Sequence, residues 1–102
     1  MGWKIIIAPS AQADLEDIVR YIAQHNSDAA ARMGYELIMR AESVAAFPEI
    51  GRVVPEFRQP NLREVICRSY RVIYRLRRDE QRIDIVRFWH GARGFPHIPM
   101  GG

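Results

Sequence analysis

The chain has 102 residues and a mass of 11.8 kDa, which is enough for one domain with its own hydrophobic core. Its 48% hydrophobic and 26% charged residues match soluble globular proteins and exclude disordered and collagen-like chains. A single cysteine, Cys67, excludes an internal disulfide framework, and the formal net charge of +3 leaves anionic partners open.

The first half of the chain is predicted to form a strand and then a helical hairpin. Residues 3–8 are rich in isoleucine and predict the strand, and Pro9 suits the first position of the helix that follows. Asn26 or Ser27 is a natural N-cap for a second helix, which ends before Pro48. The apolar stripes at helical spacing are Ala11, Leu15, Ile18, Val19 and Ile22 in the first helix and Ala30, Met33, Gly34, Leu37, Ile38, Ala41 and Val44 in the second.

The second half is predicted to form a loop and three antiparallel strands. Residues 49–60 contain one glycine and two prolines and predict the loop, with a short extended piece at residues 53–54. The strands are predicted at residues 62–68, 70–77 and 82–90, with a hairpin turn at residues 78–81. In the middle strand Tyr70, Val72, Tyr74 and Leu76 share one face, and Arg71, Ile73, Arg75 and Arg77 share the other.

The last strand is predicted to contain a β-bulge. Ile83 and Ile85 share one face, but Phe88 is apolar at the opposite parity. An extra residue near Val86 explains this slip, and bulges often re-aim side chains next to functional sites.

Together the elements predict an α+β domain over residues 1–93. It consists of an N-terminal strand, a helical hairpin and an antiparallel three-strand meander, with both helices packed on one face of the sheet. Residues 94–102 are rich in glycine and proline and are predicted to form an irregular C-terminal tail. The opposite face of the sheet is predicted to stay open and to carry Arg71, Arg75, Arg77 and either Arg63 or Arg68.

Charge is distributed unevenly along the chain. Residues 1–50 have four basic and seven acidic groups, whereas residues 51–102 have eleven arginines and five acidic groups. This asymmetry is typical of a face that binds nucleic acid or an acidic protein segment, because the planar guanidinium matches phosphate and carboxylate. A solvated sheet face combined with a bias in composition explains the same pattern without a partner.

The sequence predicts a cytoplasmic protein that binds neither membranes nor cofactors. No apolar run approaches the roughly 20 residues of a membrane-spanning helix, and the N-terminal residues lack the pattern of a signal peptide. His97 has no neighbouring cysteine or histidine, so we expect no metal site.

Several short stretches resemble the RelE/ParE superfamily of toxins, which are the toxin components of type II toxin–antitoxin pairs. In chain order they are residues 13–18 (ADLEDI) with Tyr21, Phe47-Pro48 with Gly51-Arg52, residues 54–56 (VPE), 62–64 (LRE), 70–75 (YRVIYR) and 90–93 (HGAR). The resemblance extends from residue 3 to residue 93 and implies the α+β fold predicted above.

The resemblance implies two alternative activities. Members of the RelE-like branch cleave messenger RNA in the decoding site of the ribosome, whereas members of the ParE-like branch inhibit DNA gyrase and have no known catalytic centre. RNA cleavage needs a base for the 2′-hydroxyl, a clamp for the phosphate and an acid for the leaving oxygen. The resemblance to nuclease members implies these roles for Glu56, Arg71 and His90. In a ParE-like member, Glu56 would instead cap a turn or pair with Arg58 or Arg52, and His90 would pack at a strand end.

We predict a ParE-like toxin that inhibits DNA gyrase and is neutralised by a cognate antitoxin in a hetero-oligomer. The tail lacks the tyrosine or lysine that several nuclease members carry, which favours this choice. The alternatives are a RelE-like ribosome-dependent endonuclease of messenger RNA and an inactive member that only binds an antitoxin. The residues predicted to bind the antitoxin or an anionic target are Arg63, Arg68, Arg75, Arg77, Arg87, Trp89 and Arg93.

Overall fold

The computed structural model describes residues 2–99, which form two helices and five strands. The helices are α1 (Pro9–Ala23) and α2 (Ser27–Ser43), and the strands are β1 (Lys4–Ile7), β2 (Arg52–Val53), β3 (Leu62–Cys67), β4 (Tyr70–Arg77) and β5 (Arg82–His90). The predicted helical hairpin and strands are therefore confirmed to within a few residues. Residues 100–102 of the predicted tail lie outside the described part of the chain.

The ends of both helices follow from local sequence. Pro9 opens α1, where its missing N–H is not needed. Of the two predicted caps for α2, Asn26 is the one used, and its side chain accepts a hydrogen bond from the Ala29 N–H at 3.0 Å. Within residues 2–99, neither helix is long and apolar enough to cross a membrane.

The five strands form one mixed sheet in the order β1-β5-β4-β3-β2. β1 is parallel to β5, and the other neighbours are antiparallel. A parallel pair needs a long crossover, and the helical hairpin begins that crossover. Both helices consequently pack on one face of the sheet, which we call the helix face. The other side is called the outer face.

The predicted bulge is confirmed at Val86. Ile73 of β4 pairs with Arg87, whereas the next residue, Tyr74, pairs with Ile85. Val86 is therefore the extra residue on β5, opposite the step between Ile73 and Tyr74.

The bulge decides which way the end of β5 faces. Ile85 and Phe88 both belong to the core under the helices, although they are three positions apart. His90 also faces the helices, and Trp89 faces outward into a second cluster. Strict alternation from Ile85 would have reversed these last two side chains.

The main core lies between the helices and the helix face. Its residues with no exposed surface include Ala11, Leu37, Ala41, Val44, Val72, Tyr74, Ile83 and Ile85. Both helices contribute one apolar stripe to it, as their spacing predicts.

The outer face is not open, and in this respect the prediction was wrong. A smaller apolar cluster covers part of it: Val54, Leu62, Ile73, Val86 and Trp89, with Phe57 and Ile98 packed against them. The strands place these apolar side chains outward, so the loop after β2 and the tail lie over them and remove them from water.

Side-chain donors hold the tail on the outer face. Trp89 Nε1 donates to the Gly94 carbonyl at 3.1 Å, and Arg87 Nη1 donates to the His97 carbonyl at 2.9 Å. Residues 94–99 contain neither helix nor strand.

Candidate functional site

Two arginines and two glutamates form a continuous ion-pair network on the outer face. Arg71 donates from Nη1 and Nη2 to the Glu56 carboxylate at 2.8 and 2.7 Å, and from Nε to Glu64 at 2.6 Å. Arg52 Nε donates to the other oxygen of Glu64, also at 2.6 Å. The Glu64 side chain has no exposed surface, so its charge depends on these two guanidinium groups.

The network makes Glu56 a poor base in this arrangement. Its hydrogen bonds from Arg71 hold the pKa of Glu56 below its ordinary value of 4.5, although partial burial acts in the opposite direction. The same bonds, together with those to Glu64, raise the pKa of Arg71. An efficient general base has a pKa near the working pH, and both Glu56 oxygens are already occupied.

The structure brings Glu56 and Arg71 together but places His90 on the helix face. His90 is in register with Tyr70, and the two rings meet edge to face with 5.1 Å between their centroids. Its Nδ1 accepts a hydrogen bond from the Ala92 N–H at 3.1 Å, so the proton of the neutral ring resides on Nε2. The imidazole lines a pocket of about 360 Å³ beside α1.

Carboxylates of the chain itself neutralise further arginines at the outer face. Arg77 Nε donates to Asp84 at 2.9 Å, and Arg82 Nε donates to the same carboxylate at 2.8 Å. Arg87 binds Asp14 of α1 through two hydrogen bonds of 2.6 and 2.8 Å. Burial alone would raise the pKa of Asp84, but its two guanidinium partners hold it below the usual range.

Arg75 is the exception on this face. It makes no ion pair with any of residues 2–99, and its Nη2 donates only to the Pro99 carbonyl at 3.3 Å. Its buried Nε has no hydrogen-bond partner within the same range. Burial, and then the nearby charge of Arg77, lower the pKa of Arg75.

Arg63 and Arg68 do not lie on the outer face, and that part of the prediction was wrong. Arg63 is in register with Tyr74, which faces the helices, and its Nη1 donates to the Gly51 carbonyl at 3.1 Å. Arg68 follows β3 and forms a bidentate ion pair with Glu36 of α2. Alternation along β3 turns Arg63 toward the helices, as it does Val65, whereas Arg68 lies in the turn that follows the strand.

Trp89, predicted to belong to a binding surface, is buried between two guanidinium groups. Arg93 Cζ lies 3.8 Å from its ring centroid and Arg87 Cζ lies 4.7 Å away. At these distances both guanidinium groups form cation–π interactions with the Trp89 ring. Arg93 itself is exposed and is the accessible part of this group.

The uneven charge of the two halves is largely resolved inside the fold. Acidic residues of the first half pair with arginines of the second: Asp14 with Arg87, Glu36 with Arg68, and Glu49 with both Arg63 and Arg78. These pairs join the helices and the 47–51 loop to the sheet. They also reduce the positive charge that remains for a partner.

Sequence reasoning missed the structural carboxylates Asp14 and Glu64. Besides binding Arg87, Asp14 accepts a hydrogen bond from the Phe88 N–H at 3.0 Å, on the edge of β5 beyond the end of β1. A signal was present, because Asp14 lies on the apolar stripe of α1, three residues after Ala11. A carboxylate in such a stripe predicts a buried cationic partner.

Small-ligand chemistry has little support in this geometry. Most charged groups of the outer face are bound to one another, as the network and the Asp84 and Asp14 pairs show. Among residues 2–99, no group of three or more histidine, cysteine, aspartate and glutamate side chains is arranged to hold a metal ion.

The fold is similar to that of chains in two solved toxin–antitoxin structures. The chromosomal ParDE system from P. aeruginosa matches with a TM-score of 0.71 and 16% identity, covering 86% of this chain and 95% of that one. The toxin–antitoxin complex RelBE2 from Mycobacterium tuberculosis matches with a TM-score of 0.67 and 16% identity, covering 88% and 99%. These similarities show an α+β fold shared with toxin–antitoxin proteins.

A sequence profile assigns the family. Residues 5–95 match the profile of the ParE toxin of type II toxin–antitoxin system, parDE. The match covers most of the chain, and the chain therefore belongs to the ParE toxin family of type II toxin–antitoxin systems. No curated protein sequence matches it significantly.

Proposed function

We propose that this toxin acts by inhibiting DNA gyrase and not by cleaving RNA. The observation that carries the proposal is the separation of the three groups that cleavage would need. Glu56 and Arg71 form an ion pair with each other on the outer face, whereas His90 packs against Tyr70 on the helix face. Acid and base must reach the same reacting atoms, and here the sheet stands between them. Membership of the ParE family supports gyrase as the target.

We further propose that a cognate antitoxin with an acidic segment neutralises the toxin in a hetero-oligomer. The similarity to two toxin–antitoxin structures supports such a partner. Within residues 2–99, Arg75 and Arg93 have no carboxylate partner, so they are the predicted binding residues whose charge remains available. An acidic segment would neutralise both guanidinium groups.

The two target hypotheses are separated by assaying the purified chain against both targets. We expect it to inhibit supercoiling by gyrase, while primer extension shows intact messages on translating ribosomes. His90→Ala and Glu56→Gln are expected to inhibit gyrase as well as the wild type does. Site-specific cuts in messages that disappear in His90→Ala would contradict the proposal and identify a RelE-like nuclease. A chain that binds its antitoxin but affects neither target would be an inactive member.

The antitoxin is tested by calorimetry with the product of the neighbouring reading frame. Affinity is expected to fall as salt rises, because screening weakens contacts between exposed charges. Arg93→Ala is expected to weaken binding, whereas Arg20→Ala, which removes an exposed arginine of α1 paired to Asp17, serves as the matched control. No detectable binding at low salt would contradict the assignment of this partner.

A further inference from the structure

The loop between α2 and β2 exposes two large apolar side chains on a tight turn. Phe47 is 69% exposed and Ile50 is 59% exposed. The Ile50 N–H donates to the Phe47 carbonyl at 2.9 Å, which closes a β-turn with Pro48 at its second position, where proline is favoured. We call this segment the 47–50 turn. It lines an apolar surface pocket of about 620 Å³.

A buried tyrosine fixes the 47–50 turn from below. Tyr74 of β4 has no exposed surface, yet its hydroxyl donates to the Pro48 carbonyl at 2.8 Å and accepts from the Gly51 N–H at 2.9 Å. A Cβ atom on Gly51 would lie 2.5 Å from both the Tyr74 hydroxyl and the Glu64 carbonyl. Only glycine therefore allows the backbone to approach this closely.

Two arginines bind the same segment and neutralise its charge. Arg63 Nη1 donates to the carbonyls of Gly51 at 3.1 Å and Glu49 at 3.4 Å. The Glu49 carboxylate lies 2.9 Å from Arg78 Nη1 and 3.7 Å from Arg63 Nη2. The one charged side chain of the turn is thus neutralised by the chain itself, and the turn presents a rigid apolar surface.

We propose that the 47–50 turn is the surface through which the toxin binds its protein target, with Phe47 and Ile50 entering an apolar pocket of gyrase. Holding the backbone of the turn in one conformation before binding avoids the entropy loss that a flexible loop would incur on contact. Phenylalanine is also enriched at the buried centre of protein interfaces relative to the rest of the surface. This inference rests on the gyrase inhibition proposed above.

The absence of free charge on the turn favours the target, and not the acidic antitoxin, as the protein that binds there. An acidic antitoxin segment is attracted to arginines that have no carboxylate partner within residues 2–99, such as Arg93, and its binding weakens in salt. The 47–50 turn offers no free charge, because Glu49 is bound by Arg78. Target binding through it is therefore expected to change little with salt.

The direct test removes both apolar side chains of the turn. The double variant Phe47→Ser/Ile50→Ser replaces only exposed residues. We therefore expect it to keep the melting temperature and the antitoxin affinity of the wild type. The concentration needed for half-inhibition of gyrase supercoiling should rise about 30-fold or more. The control Tyr35→Ser/Met39→Ser removes an exposed apolar pair from α2 and should stay within about twofold of the wild type.

A second variant tests the clamp without changing the contact surface. Tyr74→Phe deletes the hydroxyl that holds Pro48 and Gly51, so amide exchange at Ile50 and Gly51 should accelerate. Inhibition should weaken by about three- to tenfold although both apolar side chains remain, because their order is lost. Tyr74 would then be a positioning residue for target binding.

The outcomes separate this inference from the function on which it rests. Wild-type inhibition by Phe47→Ser/Ile50→Ser overturns the assignment of the turn and leaves gyrase inhibition standing. A wild-type chain that does not inhibit gyrase overturns both. Loss of inhibition together with loss of antitoxin binding also overturns the assignment, since the turn would then not be specific for the target.

Discussion

The two faces of the sheet are stabilised by different interactions, although the same strand, β4, contributes to both. On the helix face, Leu37 and Ile83 are fully buried among apolar side chains. On the outer face, Glu64 is buried and Arg71 largely so, and their opposite charges neutralise each other. The comparison teaches that a row of arginines on a strand is not by itself a surface for a partner. Here most of that charge is used to hold the chain's own loops and helices.

The largest expected effect belongs to the helix face. Replacing Leu37 by alanine should lower the free energy of unfolding by about 2–5 kcal/mol, because the side chain is fully buried and leaves a cavity. Urea melts measure this change. The control Tyr35→Ala, on the exposed side of the same helix, should change stability by less than about 0.5 kcal/mol. Equal effects of the two variants would contradict the assigned orientation of α2.

The next effect belongs to the ion-pair network of the outer face. Arg71→Met should cost about 2–3 kcal/mol, less than the roughly 3–5 kcal/mol of a fully broken buried pair, because Glu64 keeps Arg52. Adding Glu64→Gln should restore part of the loss by removing the buried charge. If urea melts show the double variant to be less stable than the single one, charge burial is not the cause.

Acid should weaken the ion pairs of the outer face. The pKa of Glu56 is lowered in the folded state, so its ion pair stabilises the fold above the ordinary value of 4.5 and is lost as pH falls through the lower folded pKa. We expect a small loss of stability from this group in acid. Glu56→Gln should remove that share of the pH dependence, while the share of Asp84 remains. Identical pH profiles for both chains in urea melts would contradict this assignment.

The smallest effect should come from Arg75, four residues from Arg71 on the same face of β4. Arg75→Met removes a buried Nε that has no partner among residues 2–99 and breaks no ion pair there. Stability should therefore stay within about 0.5 kcal/mol of the wild type or rise slightly. The pair Arg71→Met and Arg75→Met isolates the effect of a carboxylate partner. Similar losses in both would contradict the conclusion that the carboxylate partners of Arg71 make the difference.

Sequence patterns predicted the elements more completely than the site. The bulge at Val86 was visible in the parity of Phe88, and the structure confirms it. The same parity also determines that His90 faces the helices, away from Arg71. That consequence follows from the bulge and from alternation after Phe88. The resemblance to nucleases nevertheless grouped the two residues, because the family pattern gives order along the chain and not the facing of side chains.

Other parts of the site depend on contacts between distant residues. Arg87 meets Asp14 across 73 positions, and Arg68 meets Glu36 across 32. The sequence shows that one half of the chain is acidic and the other basic, but a charge count does not reveal which groups neutralise each other. The 47–50 turn is a similar case, because its rigidity comes from Tyr74, which lies on another element.

The sequence by itself determined the order of strands and helices, the apolar stripes, the bulge and the resemblance to the toxin superfamily. These features depend on local periodicity, capping and proline placement, which residues a few positions apart control. Only the tertiary structure decided that the tail covers the outer face, that Arg71 is closed by Glu56 and Glu64, and that His90 lies on the other side. These features depend on long-range pairing. Burying a charge is unfavourable without a partner of opposite charge, and that partner can be far away along the chain.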